Sequence, residues 1–296
     1  ASLMILDGEK VRIEDLKVGM VIGKTIYSPN GTVLIREKAV LTEAILDKLK
    51  ELGLPAAYIL PSPDAQAPED LISDTTRIDL VRSLSKLDSQ VRAGQNLNIG
   101  SSKQSLYTLI DEIVSNPKSL LGMSDIRLHG DYIYGHSVNV CAIAVKIGLL
   151  FGYNQLKMAE LGVGALFHDI GMTKIPLRIL EKADNLTDDE VKLIRTHPEI
   201  GFNMLKENPA ISMVSAHVAY QHHERYDGSG YPRGLAGDAI HEFARITAVA
   251  DVYDSMTTEK IYRPAKSPAE TLAYIKSRSG IEFDPNVVDA LKQIVS

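Results

Sequence analysis

Ala165-Leu166-Phe167-His168-Asp169-Ile170-Gly171 is the stretch on which the fold turns. An apolar run ends in two adjacent residues that ligate metals well, and Gly171 follows closely enough to let a helix stop there. Ligands at a helix terminus can both reach one point. Outward from this stretch the same residue types recur at long, rather even intervals: His136 before it, then His197, the pair His222-His223, and Asp251. Five of the eight histidines belong to this series. The spacing of roughly a helical hairpin points to several helices converging on one metal centre, since a local binding loop carries its ligands a few residues apart.

The surroundings of each residue fit that picture. His136 lies on an apolar helix starting near Tyr132. His197 precedes Pro198, where a helix must break or restart. His222 and His223 end a further helix, and Asp251 lies inside the helical stretch 246–256. Asp169 has two carboxylate oxygens and can bridge two ions. Singly, each histidine is better explained as a surface or hydrogen-bonded core residue than as a ligand. Jointly, that account needs several separate coincidences. His129, His217 and His241 take the ordinary explanation: His217 is five residues before His222 and faces another way, while His129 and His241 flank helix starts and are expected at the surface.

Composition sets the frame. The 296 residues, 45% hydrophobic and 24% charged, suffice for two domains or one large one with a sizeable core and no need of disulfides. The single cysteine, Cys141, sits in the apolar run Val140-Cys141-Ala142-Ile143 and reads as a small buried residue, in keeping with a reducing, cytoplasmic setting. No segment is read as apolar and long enough to span a bilayer, and the N-terminus lacks the basic-then-apolar order of a signal peptide. Met4 reads as the natural start. The net charge of −6 argues against general affinity for nucleic acid polymers or anionic membranes, so an anionic substrate must be drawn in by metal and local basic residues.

Three segments are expected. Residues 1–62 form a small α+β unit: strands between Val11 and Tyr27, a turn at Asn30-Gly31, a returning strand from Thr32 to 35, a helix capped by Thr42 and stopped by Gly53, and a strand at 57–60. Residues 63–100 hold a Pro/Ala-rich linker and an amphipathic helix over 78–91, a connecting or a dimerisation helix. Residues 101–296 are helical. Thr187-Asp188-Asp189-Glu190 and Ser267-Pro268-Ala269-Glu270 are capping boxes, Asp284-Pro285 opens the last helix, and an irregular glycine-rich stretch runs from Tyr226 to Asp238. The fold class is mainly α, a helical bundle carrying a metal site behind a small α+β unit.

From about residue 105 to 296 the chain resembles the HD-GYP subfamily of the HD metal-dependent phosphohydrolases. The likeness rests on His136-Ser137, His168-Asp169-Ile170-Gly171, His197-Pro198, the long signature His222-His223-Glu224-Arg225-Tyr226-Asp227-Gly228-Ser229-Gly230-Tyr231-Pro232, and Asp251-Val252-Tyr253-Asp254. The N-terminal unit resembles, more weakly, a small domain often found before such domains. The resemblance implies an HD-type bundle that hydrolyses cyclic di-GMP to the linear dinucleotide or to GMP. It implies His136, His168, Asp169, His197, His222, His223 and Asp251 as ligands of two divalent transition metals, iron or manganese, with Asp169 bridging. It implies phosphate contacts from Lys260 and Arg263. In the glycine-rich loop, Tyr231 and Arg225 are candidate substrate contacts, and a GGDEF-domain cyclase is a candidate partner there; a homodimer is also open.

Two positions depart from the family. Where some members carry a glutamate for a third metal, this chain has Tyr132, with Asp131 one position off, so two ions are expected. Where the family has lysine after His-Asp-x-Gly, this chain has Met172; Lys174, two residues on, is the candidate to act in its place. That departure leaves two alternatives beside cyclic di-GMP hydrolysis: another cyclic dinucleotide such as cyclic GMP-AMP, or a metal-bound sensor without turnover.

Overall fold

A computed structural model describes residues 8–28, 31–67, 70–116, 132–258 and 264–295, without the side chain of Tyr132. Lys260, Arg263, Asp131, His129 and Asn30 therefore lie outside the described residues. The N-terminal unit contains β1 (Glu9–Arg12), β2 (Val21–Ile22), β3 (Ile26–Tyr27), β4 (Val33–Ile35), α1 (Glu43–Glu51) and β5 (Ala56–Leu60). The strands are shorter than the alternation suggests, because a 3-10 turn at Ile13–Asp15 interrupts the first run. β5 is central in an antiparallel sheet of order β1-β5-β2, with Glu9 opposite Ile59 and Arg12 opposite Ala56. β3 and β4 make the expected hairpin. Thr42 caps α1 by accepting from the Ile45 amide at 3.3 Å. Ile22, Leu41 and Leu49, all fully buried, centre a small core of this unit's own.

The helical part follows: α2 (Asp74–Arg92), α3 (Gly100–Ser115), α4 (Tyr132–Leu150), α5 (Gln155–Leu166), α6 (Leu177–Leu180), α7 (Asp188–Ile194), α8 (His197–Lys206), α9 (Met213–Gln221), α10 (Glu242–Thr257), α11 (Pro268–Ser277) and α12 (Pro285–Val295). The capping box at Thr187–Glu190 is present in full. At Ser267 the side chain accepts from the Glu270 amide. α2 starts earlier than its apolar periodicity shows, because Ser73 caps it. Its stripe Leu80, Val81, Leu84, Leu87 and Val91 is buried in the bundle core, which makes it a connecting helix packed as part of the bundle. An apolar stripe already consumed by the core is not available for dimerisation.

α4 is the centre of the bundle. Val138, Val140, Cys141, Ile143, Val145 and Ile147 are all buried on it, each worth about 1.5–3 kcal/mol of transfer free energy for the aliphatic side chains. The window Ile133–Leu150 is long and apolar enough to cross a membrane by length and composition alone, but 72% of it is buried inside the protein, as befits a core helix wrapped on most sides by other helices. Cys141 is buried and its thiol faces the Gly162 carbonyl.

Candidate metal centre

The chain folds so that helix ends deliver most of the ligands. α5 stops at Leu166, and His168 and Asp169 follow at its C-terminus. The next turn packs directly on the start of α8. A Cβ at Gly171 would lie 2.1 Å from the His197 carbonyl oxygen and 2.8 Å from the Gly201 nitrogen, so only glycine fits between these two ligand-bearing segments. α8 restarts at His197, as the following proline requires, and His222 ends α9. α4 and α10 contribute His136 and Asp251 from their interiors.

All seven residues of the series converge, in two groups: His136, His168 and Asp251, and Asp169, His197, His222 and His223. Asp169 stands between them. Its Oδ2 lies 3.2 Å from His168 Nε2, while its Oδ1 lies 3.2 Å from His197 Nε2 and 3.3 Å from His222 Nε2. Each carboxylate oxygen thus faces a different group, as a bridging ligand must. Asp251 Oδ1 lies 2.6 Å from His136 Nε2 and 3.8 Å from His168 Nε2.

Second nitrogens are tied down. His168 Nδ1 donates to the Ala165 carbonyl at 2.6 Å, His197 Nδ1 to Ile194 at 2.6 Å and His222 Nδ1 to Ala219 at 2.9 Å. With the proton fixed on Nδ1, each Nε2 lone pair is turned to the centre, the arrangement metal-ligating histidines need. His136 Nδ1 instead meets Asp254 Oδ2 at 2.7 Å.

Burial and charge act in opposed directions on the residues of the centre. Burial penalises charge on Asp169, but the positive charge favoured on His168 beside it and the close ring nitrogens of His197 and His222 hold its carboxyl well below the usual range. Asp251 is lowered likewise: burial opposes, and hydrogen bonding to His136 wins. Burial, reinforced by His222, pushes His223 down to about 2, and burial also lowers His222. His136 and His168 go the other way. Burial disfavours their charged forms, yet hydrogen bonds to Asp251 and Asp254 raise His136, and the charge of Asp169 raises His168. The centre is two ionised carboxylates among buried rings. Buried His168 Nε2 makes no hydrogen bond despite its carboxylate neighbours, an orphaned lone pair aimed inward. Five imidazoles and two carboxylates, with that orphan among them, fit divalent transition metals.

A cavity of about 140 Å³ lies beside Asp169, lined also by Ser137, Met172 and Arg92. Met172 thus stands where the expected lysine would face the site. Lys174 is exposed and does not line this cavity. Tyr231 stacks on His223, ring centroids 4.8 Å apart and nearly parallel, with the Arg195 guanidinium 5.1 Å above its ring. Half-buried Arg225 is in the same loop. A Cβ on Gly230 would sit 2.4 Å from the Arg225 nitrogen and the His223 carbonyl, which explains the glycine before Tyr231.

Three residues escape the sequence reading. Glu224 is buried and accepts from the amides of Arg233 (2.7 Å) and Leu235 (2.9 Å), pinning the glycine-rich loop from inside. Asp254 buttresses His136, and buried Asn139 donates to Asp254 Oδ1 at 2.9 Å. Asp254 is three residues after Asp251 and so on the same helix face, a signal the sequence did offer. Of the ordinary histidines, His217 bonds the Met213 carbonyl away from the centre, whereas His241 is half-buried rather than exposed and caps α10 by accepting from the Phe243 amide.

Residues 108–287 match the family model described as HD domain. The chain belongs to the HD-domain family. It is 32% identical to a cyclic di-GMP phosphodiesterase of Pseudomonas aeruginosa over 88% of this chain and 66% of the relative. It is 43% identical to the cyclic di-GMP phosphodiesterase response regulator of Xanthomonas campestris over 50% of this chain and 40% of the relative. The chain thus spans less than two thirds of these relatives' lengths. Among solved structures it is similar to an HD-GYP-type protein of Bdellovibrio bacteriovorus, with a TM-score of 0.62 at 18% identity over 98% of this chain and 99% of that one. That likeness shows the fold, from the small N-terminal unit through the HD bundle.

Proposed function

We propose that the chain is a metal-dependent phosphodiesterase that hydrolyses cyclic di-GMP, giving the linear dinucleotide or GMP. The observation that carries this is the position of Asp169: one carboxylate with each oxygen facing a separate group of buried ligands, in an HD-domain chain whose relatives are named for that reaction.

His136, His168 and Asp251 would hold one ion, His197, His222 and His223 the other, with Asp169 shared. The mixed imidazole and carboxylate set suits iron or manganese. Two such ions supply Lewis acidity toward a phosphodiester and a water of lowered pKa. The protein's part is to aim its lone pairs, hold two carboxylates ionised and exclude bulk water through the apolar packing of α4 and α5. Tyr231, stacked on His223 at the rim, offers a flat ring for a guanine base. Among the described residues, Arg195 and Arg225 near it and the exposed Lys174 are cationic groups that could meet phosphate, and the family resemblance adds Lys260 and Arg263. Exposed Ser229 and Pro232 leave the loop tip free for a GGDEF-domain partner.

A second substrate is favoured by one finding: the chain is also 26% identical, over 71% of its length, to a relative from Vibrio cholerae named as specific for 3′3′-cyclic GMP-AMP. Ferrous- and manganese-loaded protein incubated with a panel of cyclic dinucleotides, products separated by chromatography, decides between them. Cyclic di-GMP cleaved fastest is expected. Preference for cyclic GMP-AMP would replace the substrate. Binding without product under either metal would make the chain a sensor and sink the proposal.

A further inference from the structure

His136 is the one histidine of the centre whose second nitrogen is held by a carboxylate, and the support does not stop there. Asp254 Oδ2 accepts from His136 Nδ1 at 2.7 Å, and Asp254 Oδ1 accepts from Asn139 Nδ2 at 2.9 Å. Asn139 Oδ1 accepts from Arg77 Nη1, and Arg77 Nη2 is paired with Asp70 at 2.8 Å. Arg77 is 3% exposed, Asn139 7% and Asp254 2%, so water cannot substitute freely at any link. Arg77 lies on α2, outside the 108–287 family match. One turn earlier, Asp74 accepts from Tyr27 of the N-terminal unit at 3.1 Å. At the far end of α2, Arg92 donates to the carbonyls of Met172 (3.1 Å) and Ile175 (2.9 Å), in the turn just after Asp169.

The order of donors along this chain has one solution. A guanidinium only donates, so the Asn139 amide must turn its oxygen to Arg77 and its NH₂ to Asp254. Asp254 is then left with one oxygen for His136, which must place a proton on Nδ1 and present Nε2 to the cluster. Without the guanidinium, Asn139 can flip and offer Asp254 its oxygen, and the carboxylate loses a donor it needs while buried.

We propose that Arg77 is a positioning residue of the metal centre, acting through Asn139 and Asp254 to fix the ring orientation and tautomer of His136. This rests on the two-ion reading above, and it makes α2 a working part of the centre and a physical link from the N-terminal unit to it.

Cobalt(II) titrated into metal-free protein, followed by visible absorption against a competing chelator, tests this without any turnover. The parent is expected to bind two ions. Arg77→Met is expected to bind one as the parent does and the other roughly 10–100-fold more weakly, with a changed absorption band for that ion. Arg77→Lys, which keeps a donor toward Asn139, is expected in between. Should Arg77→Met fail to fold, Asn139→Ser breaks the same chain while leaving room for water, and the same selective weakening is expected. Parent-like binding of both ions by a folded Arg77→Met or by Asn139→Ser, or equal weakening of both, overturns the proposal alone. A parent that binds no cobalt overturns the two-ion reading as well.

Discussion

Two ways of aiming a histidine stand side by side in this centre. His168, His197 and His222 are each held by a backbone carbonyl three residues behind them, at or near a helix end. His136 is held by Asp254, 118 residues away. The difference follows from position. The last carbonyls of a helix have no amide partner within it and can accept from a side chain. His136 lies within α4, where the carbonyls behind it are committed to the helix, so its ring needs a carboxylate from another element. Local support comes with the helix terminus itself, whereas long-range support must be assembled by the fold.

Breaking the shared ligand should have the largest effect. Asp169→Ala removes both halves' common carboxylate and is expected to lower product formation by more than the roughly 100-fold that loss of an outer partner costs; near-parent turnover would show that Asp169 does not bridge. The comparison is sharpened by treating its two sides differently. Asp254→Asn should weaken one of two ions by about 10–100-fold in a chelator competition. Ile194→Ala leaves the carbonyl that holds His197 in place and should change metal affinity by no more than about twofold. Equal effects would mean that the two kinds of support are not distinct.

Much of this centre is legible in the sequence, because a ligand at a helix end leaves a local trace. Leu166-Phe167-His168-Asp169-Ile170-Gly171 states both the stop and the reason for Gly171, and Pro198 marks the restart at His197. The chain of Arg77, Asn139 and Asp254 leaves no such trace. Its links join residues 62 and 115 apart in sequence, and each residue alone reads as an ordinary helix position. Glu224 is hidden for another reason: inside a signature it reads as a polar neighbour of the histidines, and only burial shows it holding Arg233 and Leu235. β1 and β2 are shorter than the alternation suggests, because alternation does not reveal a 3-10 turn.

Smaller effects probe the same contrast through protons. In metal-free protein, His136 is raised above its ordinary 6.5, so its stabilisation is full below that pH and is lost as pH rises through the folded value. His223, pushed down to about 2, does the reverse: its stabilisation is present above 6.5 and lost as pH falls. Thermal melts should therefore show His136→Gln closing on the parent toward alkaline pH. His223→Gln should gain on the parent as pH falls below 6.5. Parallel curves would contradict the opposed environments. Gly171→Ala, forced against the His197 carbonyl, is expected to cost about 1–3 kcal/mol in denaturant unfolding. Smallest of all, Cys141, raised by burial on the same helix as His136, should react with a thiol reagent only as fast as the chain opens.

The central claim is that two groups of buried ligands share Asp169. Elemental analysis of protein purified without oxygen, for parent and His136→Ala together, tests it most directly. Two ions per parent chain and one per His136→Ala chain are predicted. One or three ions in the parent, or both ions lost in the variant, would contradict the account.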